Sequence, residues 1–425
     1  MTDISYQRHP STLWPLVKVA GQLAIYAAVL FSLGCGPILQ LPDIRTPLYI
    51  VAAIGFVAVL RGAIVTPLIQ AIGYASFGYY VIVLAIDTIH GGPFHLGLLY
   101  DANILSTDFI VLALPFLAIG LRELDPDRRI LEWIIAASIA IVAVVSVYQH
   151  LVLGQPRPTA FSLNSIHFGL TCWAWSLYLL ARALSDGTVR WSRLVASLIG
   201  LVPMALSGSK LVWILAFVSY GGLFVAWVWR GGHWRILLAV IAALVPAGWI
   251  LSHARFARER LDQLSLDLGA FLATGSTAGD SFGLRYAAAV GGFRAFLDRP
   301  LLGYGMAHAK LAATEHQSPQ TGAFGILYHL HNEYITFMVA YGIIGPLLLV
   351  SLIAAFVVAS IRAGDRAMKH FGLAFIGGIA IFMAADRISS NPIVRGLVFF
   401  VLGLLLMAEA PPARTPRSVA RAEPA

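Results

Sequence analysis

Long apolar runs alternate with short polar connections along almost the whole chain. They fall near residues 13–33, 46–60, 64–86, 104–121, 130–152, 165–184, 193–208, 211–229, 236–251, 333–359, 371–386 and 393–409. Roughly 20 helical residues cross the hydrocarbon core of a bilayer, and these runs are too long and too apolar for barrel strands. The pattern predicts an all-α polytopic membrane protein with about 12 transmembrane helices; 46–86 and 193–229 can be divided in more than one way. One connection breaks the rhythm. Between Leu251 and Glu333 the chain stays polar and charged, a long loop pinned between two spans. Connections of that length are where function concentrates. The expected organisation is therefore 1–251 with about nine spans, a long loop over 252–332 containing short helices, 333–410 with about three spans, and a disordered tail over 411–425.

Composition agrees with the pattern. Of the 425 residues, 59% are hydrophobic and only 12% charged, and the mean hydropathy is +0.79. A soluble protein of this length carries about twice that charge. The two cysteines, Cys35 and Cys172, suggest neither a disulfide framework nor a cysteine metal site. A formal charge of +8 makes no case for nucleic acid as a partner. The first apolar run is long enough to span, so no cleavable signal peptide is expected.

Charge sets the expected orientation. With the N-terminus in the cytoplasm, most of the 29 basic residues fall on the cytoplasmic side, Arg122, Arg128, Arg182, Arg193, Arg230, Arg362 and Arg366 among them. Leaving out the long loop, which translocates largely regardless of charge, sharpens the bias. The loop then faces outward, into the periplasm of a Gram-negative host, and the chain is a multi-pass protein of the bacterial inner membrane. The unusual residues gather on that side: Arg157 to Gly169, the turn Ser207-Gly208-Ser209-Lys210, the loop arginines, and Asp386, Arg387, Asn391 and Arg395.

Cations at headgroup level suit an anionic lipid ligand. Arginine offers phosphate a planar fork and lysine a point charge. A pyrophosphate-linked lipid needs such a clamp to be held, and again to stabilise charge as the diphosphate leaves. A histidine beside the clamp can accept a proton from an attacking hydroxyl, and neighbouring cations keep it neutral. No metal-binding spacing is present on the outer side, so neither a metal nor another cofactor is expected.

Several residues resemble one family. His331-Asn332, nine residues, then Gly342-Ile343-Ile344-Gly345 resembles the His-(Ser/Gln/Asn), nine-residue, Gly-x-x-Gly signature of the O-antigen ligase and O-antigen polymerase superfamily. Gly283-Leu284-Arg285-Tyr286 followed by Arg299-Pro300-Leu301-Leu302-Gly303-Tyr304-Gly305 is similar to its loop block. Asn164 to Gly169 is similar to its Asn-Pro element, and Ser207 to Lys210 stands where members show Ser-x-Ser-Arg. The resemblance covers the span plan and, in motif detail, roughly 160–345. It implies a metal-independent, inverting glycosyltransferase with a GT-C-like fold. The donor would be a glycan on undecaprenyl diphosphate, and the acceptor lipid A–core or a second lipid-linked glycan. Carried over by position, His331 would be the base, Arg285 the main diphosphate ligand and Lys210 a second cation. Lys210 replaces an arginine, which keeps the charge and loses the fork. Arg260-Leu261-Asp262-Gln263-Leu264 fits the ligases' Arg-x-x-x-Leu element as well as Arg285 fits the loop block, so either arginine can hold the diphosphate. Asn164, His167, Arg157, Asn332 and Arg387 are further candidate substrate contacts.

Each candidate has a plainer reading. His331 can be a helix-start histidine bonded to a local carbonyl, Arg285 a solvated helix residue and Lys210 a snorkelling lysine. Arg255, Arg258 and Arg260 can contact anionic headgroups. Asn164 and His167 can shape their loop, His329 is structural, and Asp386, Arg387 and Arg395 can form an internal ion-pair set. Gly303-Tyr304-Gly305 reads as a turn, and Gly342-x-x-Gly345 as a site of close helix packing. The Asp87–Asp101 loop, with His90 and His95, can be a gate. Three functions follow: an O-antigen ligase, a polymerase joining lipid-linked repeat units, and a polysaccharide or lipid transporter. A transporter predicts charges deep in spans and an internal repeat, and neither stands out.

Overall fold

The structure, a computed structural model, describes residues 13–32, 44–90, 105–162, 164–185, 189–231, 281–317, 330–388 and 391–409, with a few isolated positions between 234 and 269. The apolar run 236–251 lies outside the described residues, as do Arg255, Arg258, Arg260, His95 and His329. The helices are α1 (Trp14–Ser32), α2 (Arg45–Leu60), α3 (Pro67–Ile89), α4 (Leu105–Leu124), α5 (Arg128–Leu151), α6 (Ser165–Leu184), α7 (Trp191–Ile199), α8 (Leu201–Leu206), α9 (Lys210–Gly231), α10 (Ser281–Asp298), α11 (Ala309–Glu315), α12 (Glu333–Tyr341), α13 (Ile344–Arg362), α14 (Arg366–Ala385) and α15 (Pro392–Met407). Among the described residues the one β-type contact is an antiparallel bridge between Ala363 and Glu409.

Six of these helices, α1, α3, α5, α9, α13 and α14, are long and apolar enough to cross a membrane. α2, the α7–α8 pair and the body of α15 are shorter apolar helices. The chain is accordingly an all-helical, multi-pass membrane protein. Two of the expected spans are each broken in two. The 193–208 run divides at Gly200, where a Cβ would come within 1.8 Å of Ser176 Oγ. The 333–359 run divides between α12 and α13 at Gly342, which has φ +60°. A Cβ on Gly342 would lie 2.4 Å from the Leu301 backbone, so the loop before α11 can press against the break only because the residue is glycine.

Helix starts follow local chemistry. Asp127 caps α5, Asn164 caps α6, Asn332 caps α12, Asp365 caps α14 and Asn391 caps α15, each accepting from a backbone N–H of the first turn. Pro67 and Pro392 stand in the first turns of α3 and α15, where a missing N–H costs nothing.

α6 is the central helix, buried without a break from Phe168 to Ala181. A helix apolar all round has to sit inside its bundle. Trp173 stacks on Phe375 of α14 at 5.5 Å and donates from Nε1 to Ser219 Oγ of α9 at 2.8 Å. Trp175 donates to Ser32 Oγ of α1 at 2.7 Å. Each indole thus buries its ring and still satisfies its N–H. α2 and α4 meet backbone to backbone: a Cβ on Gly55 would strike Phe116 O, and one on Gly120 would strike Val51 O. Small residues are what allow helices to approach so closely in lipid.

The bundle has two chemically different ends. At one, Arg182 pairs with Glu132 at 2.8 Å and with Asp365, which also takes Arg128 at 3.1 Å. Arg193 reaches Glu132, and Glu409 lies 3.9 Å from both Arg122 and Arg362. The other end holds His167, His331, Asp386, Arg387 and Asn391.

Candidate functional site

The site is built where helix ends meet. The starts of α6, α12 and α15 and the end of α14 come together at the end opposite the arginine network. Asn332 ties two of them: its Oδ1 accepts from Ile335 N at 3.0 Å, and its Nδ2 donates to Ala384 O of α14 at 2.8 Å. Asn391 ties two more. Its Oδ1 caps α15, and its Nδ2 lies 2.8 Å from His167 Nδ1 on the first turn of α6. Two asparagines therefore hold α6, α12, α14 and α15 in register around one spot.

His331 immediately precedes the Asn332 cap. Its backbone has φ +48°, a left-handed turn that is rare outside glycine and that clusters at functional sites. The turn aims the ring at the end of α14. Nδ1 lies 3.9 Å from Asp386 Oδ1, and the imidazole keeps 20% of its side-chain surface exposed against 9% for Asp386. Asp386 is held in turn by its own termination of α14: its N–H bonds Phe382 O at 2.8 Å, and its Oδ1 accepts from Arg387 N at 2.8 Å. A half-buried imidazole facing a fixed carboxylate, with one side open, can take up a proton from a bound hydroxyl.

Buried charge surrounds this pair. Glu333 is 2% exposed; its Oε2 accepts from Ile388 N at 3.0 Å and lies 4.0 Å from Arg387 Nε. Arg387 also points Nη2 toward Met306 Sδ, and Met306 N donates to Asp87 Oδ1 at 2.8 Å. This chain of contacts fastens the long loop to the site. Glu333 and Arg395 are the charged members of a mostly apolar lining around a cavity of about 110 Å³. Ile72, Phe337, Leu349, Leu352, Phe399 and Leu402 contribute to its walls.

The loop block packs on the same side. Tyr304 N and Gly305 N donate to Val339 O and Ala340 O of α12, and Ile343 N donates to Pro300 O. Gly303 and Gly305, both with positive φ, make the turn the sequence suggested. Tyr304 donates its hydroxyl to Asp298, and Arg299 lies over its ring at 4.5 Å. Burial, and next the bond to Asp298, push the Tyr304 phenol up to about 12.

The sequence candidates divide into three groups. His331, Asn332, Arg387 and His167 converge as described. Asn164 is exposed, and its Oδ1 is engaged by Ile166 N and His167 N, the shaping role of its plainer reading. Arg157 donates from Nε to Ser207 O at 3.1 Å, which braces the turn that opens α9. Lys210 is exposed at the first position of that helix. The turn touches α6 at Gly169, where a Cβ would come within 2.8 Å of Ser207 Oγ, so Lys210 shares the end that carries His331. Arg285 lies on α10, which packs along α12 where Gly292 faces Ile335 and Val339. Two turns before Gly292, roughly 10 Å of helix, Arg285 stands toward the start of α12. Its Nε is buried without a hydrogen-bond partner among the described residues. Neither Arg285 nor Lys210 bonds directly to the His331 cluster among those residues. Arg260 lies outside them.

Glu333 was not singled out by sequence reasoning. The signal was available: a glutamate directly after the histidine motif, opening a helix that is otherwise apolar. No group of three metal-ligating side chains occurs among the described residues.

A search of curated proteins finds no match to the chain. Residues 195–350 match the family model described as O-antigen ligase. By that match the resemblance to the O-antigen ligase and polymerase superfamily holds, over the segment that carries Lys210, Arg285 and His331.

Proposed function

We propose that the chain is an inverting membrane glycosyltransferase of the O-antigen ligase type. It takes a glycan from undecaprenyl diphosphate and passes it to a sugar hydroxyl of lipid A–core, on the periplasmic face of the inner membrane. The observation that carries this reading is the His331–Asp386 pair, set beside buried cations and an apolar cavity at one end of the bundle.

Each part has a task. His331 accepts the proton of the acceptor hydroxyl as that oxygen attacks the anomeric carbon. Asp386 orients the ring and stabilises the imidazolium that forms. The bond from the anomeric carbon to the diphosphate oxygen breaks from the opposite face, so the configuration inverts. The leaving diphosphate carries the negative charge, and Arg285 with Lys210, or Arg260 from the same loop, neutralises it. The helices that begin at Ser165, Glu333 and Pro392 also turn their amide termini to this end, and such termini favour an anion. The apolar cavity next to Glu333 and Arg395 suits part of the donor's hydrocarbon tail. No step calls on a metal.

The test is deletion of the gene in its host, followed by gel analysis of lipopolysaccharide and of the lipid-linked glycan pool. Long glycan accumulating on the carrier above bare lipid A–core is the ligase outcome. Core bearing a single repeat unit and no ladder would reassign the chain to polymerisation. Surface glycans and carrier pool both unchanged would sink the glycosyltransferase reading.

A further inference from the structure

The arginine-rich end holds a second cavity, this one polar, far along the bundle from His331. It opens between the last turn of α9 and the first turn of α14, with the end of α6 as its third wall. Its volume is about 170 Å³, several times the roughly 30 Å³ of one liquid water. Arg230, Arg366, His370 and Ser185 line it, with Trp227 and Leu223 beneath.

Charge balance makes this cavity unlike its surroundings. Five arginines at this end have carboxylates: Arg128 and Arg182 take Asp365, Arg182 and Arg193 take Glu132, and Arg122 and Arg362 lie beside Glu409. No carboxylate lines the cavity among the described residues; Asp186, next to Ser185, lies outside them. Arg230 is bonded to the His370 ring, which brings no negative charge. Its place at the C-terminus of α9 is otherwise ordinary, because a cation is favourable there. Arg366 is placed less favourably. It opens α14, and Lys369 and His370 follow in the next turn. Cations at a helix N-terminus oppose the helix dipole, and Asp365, the cap, is already shared with Arg128 and Arg182. Two guanidiniums facing one cavity at an amide-rich helix start form a receptor for an oxyanion.

The depth of the cavity indicates what presents that anion. Trp229 and Trp234 meet edge to face beside it, at 72% and 48% exposure, and Trp133 and Trp191 are as open on the same end. Exposed tryptophans gather at the level of lipid headgroups. The geometry points to a binding site for the phosphate of an anionic lipid headgroup, in the leaflet at the arginine-rich end. Arg230 and Arg366 clamp the phosphate, with His370 beside them. This site is separate from the donor site and does not depend on the reaction assigned there.

The experiment uses the full chain purified in phosphatidylcholine nanodiscs, with phosphatidylglycerol added as the probe. Retained phosphatidylglycerol is read by native mass spectrometry. Wild type should retain it, and the Arg230→Gln/Arg366→Gln double variant should bind at least about tenfold more weakly, the effect of losing two charge-assisted bonds. Arg129→Gln removes an exposed cation from the same end outside the cavity and should leave retention unchanged. A size-exclusion profile like that of wild type establishes that the double variant is folded. Should it fail to fold, wild type at rising ionic strength is the second measurement: retention surviving salt that strips headgroups from exposed cations supports a built site. Equal retention by wild type and a folded double variant, or loss in Arg129→Gln, would overturn the site. Displacement of the lipid by inorganic phosphate would overturn the lipid source and reassign the cavity to free phosphate.

Discussion

His331 Nδ1 and Asp386 Oδ1 face each other at 3.9 Å, although the chain between them comprises α12, α13 and α14. The left-handed backbone at His331 and the extended backbone at Asp386 each turn a helix end toward the other. The pair is thus a product of the fold and belongs to no single motif.

Asp386→Asn keeps the shape of the carboxylate and removes its charge. Transfer should fall by about 10²-fold, the lower end of what positioned acid–base groups contribute, with little change in donor binding. Turnover at fixed donor occupancy is the measurement. A variant as fast as wild type would remove Asp386 from the proton path.

Glu333 is buried and accepts from Ile388 N beside Arg387. Glu333→Leu leaves that N–H and the half-buried Arg387 without the carboxylate. The cost should be about 3 kcal/mol of stability, within the range for breaking a buried charged pair. Thermal unfolding in detergent reads it. An unaltered midpoint would show that the carboxylate does not hold the α12–α14 junction.

Gly342→Ala places a Cβ 2.4 Å from the Leu301 backbone at a residue with φ +60°. Backbone strain and overpacking each cost of order 1–3 kcal/mol. The variant should melt earlier and lose transfer, because Ile343 N also bonds Pro300 O there. Gly221→Ala, with open space around the added Cβ, is the control and should not lower the midpoint.

The Gly342-x-x-Gly345 pair illustrates what the sequence made legible. Gly342 and Gly345 were readable as a close-packing motif because a missing side chain marks close approach. That Gly342 also ends α12 was hidden, since the apolar run continues through it without a polar interruption. The His331 cluster was legible in part. His331, Arg387 and His167 stood out because polar residues are costly beside apolar spans. The partnership of His331 with Asp386 was not, because it depends on how α12 and α14 cross. Asn164 and Asn332 are candidate substrate contacts by sequence; the structure engages the Oδ1 atoms of both, and of Asn391, in capping.

Tyr304 has a phenol raised to about 12, chiefly by burial and then by its bond to Asp298. A raised value means that the folded state favours the neutral form. Its contribution to stability is complete below pH 10 and is lost as pH climbs from 10 toward 12. Alkaline difference absorbance of wild type against Tyr304→Phe should show this phenol titrating near 12. A midpoint near 10 would contradict the contact with Asp298.

The central claim is that His331 is the base for glycan transfer. It is tested with purified protein, an undecaprenyl-diphosphate glycan and a lipid A–core acceptor, comparing wild type, His331→Ala and Arg285→Ala. His331→Ala should reduce transfer by at least about 10²-fold while still binding donor. Arg285→Ala should lose donor binding as well as transfer. Transfer by His331→Ala at the wild-type rate would contradict the account.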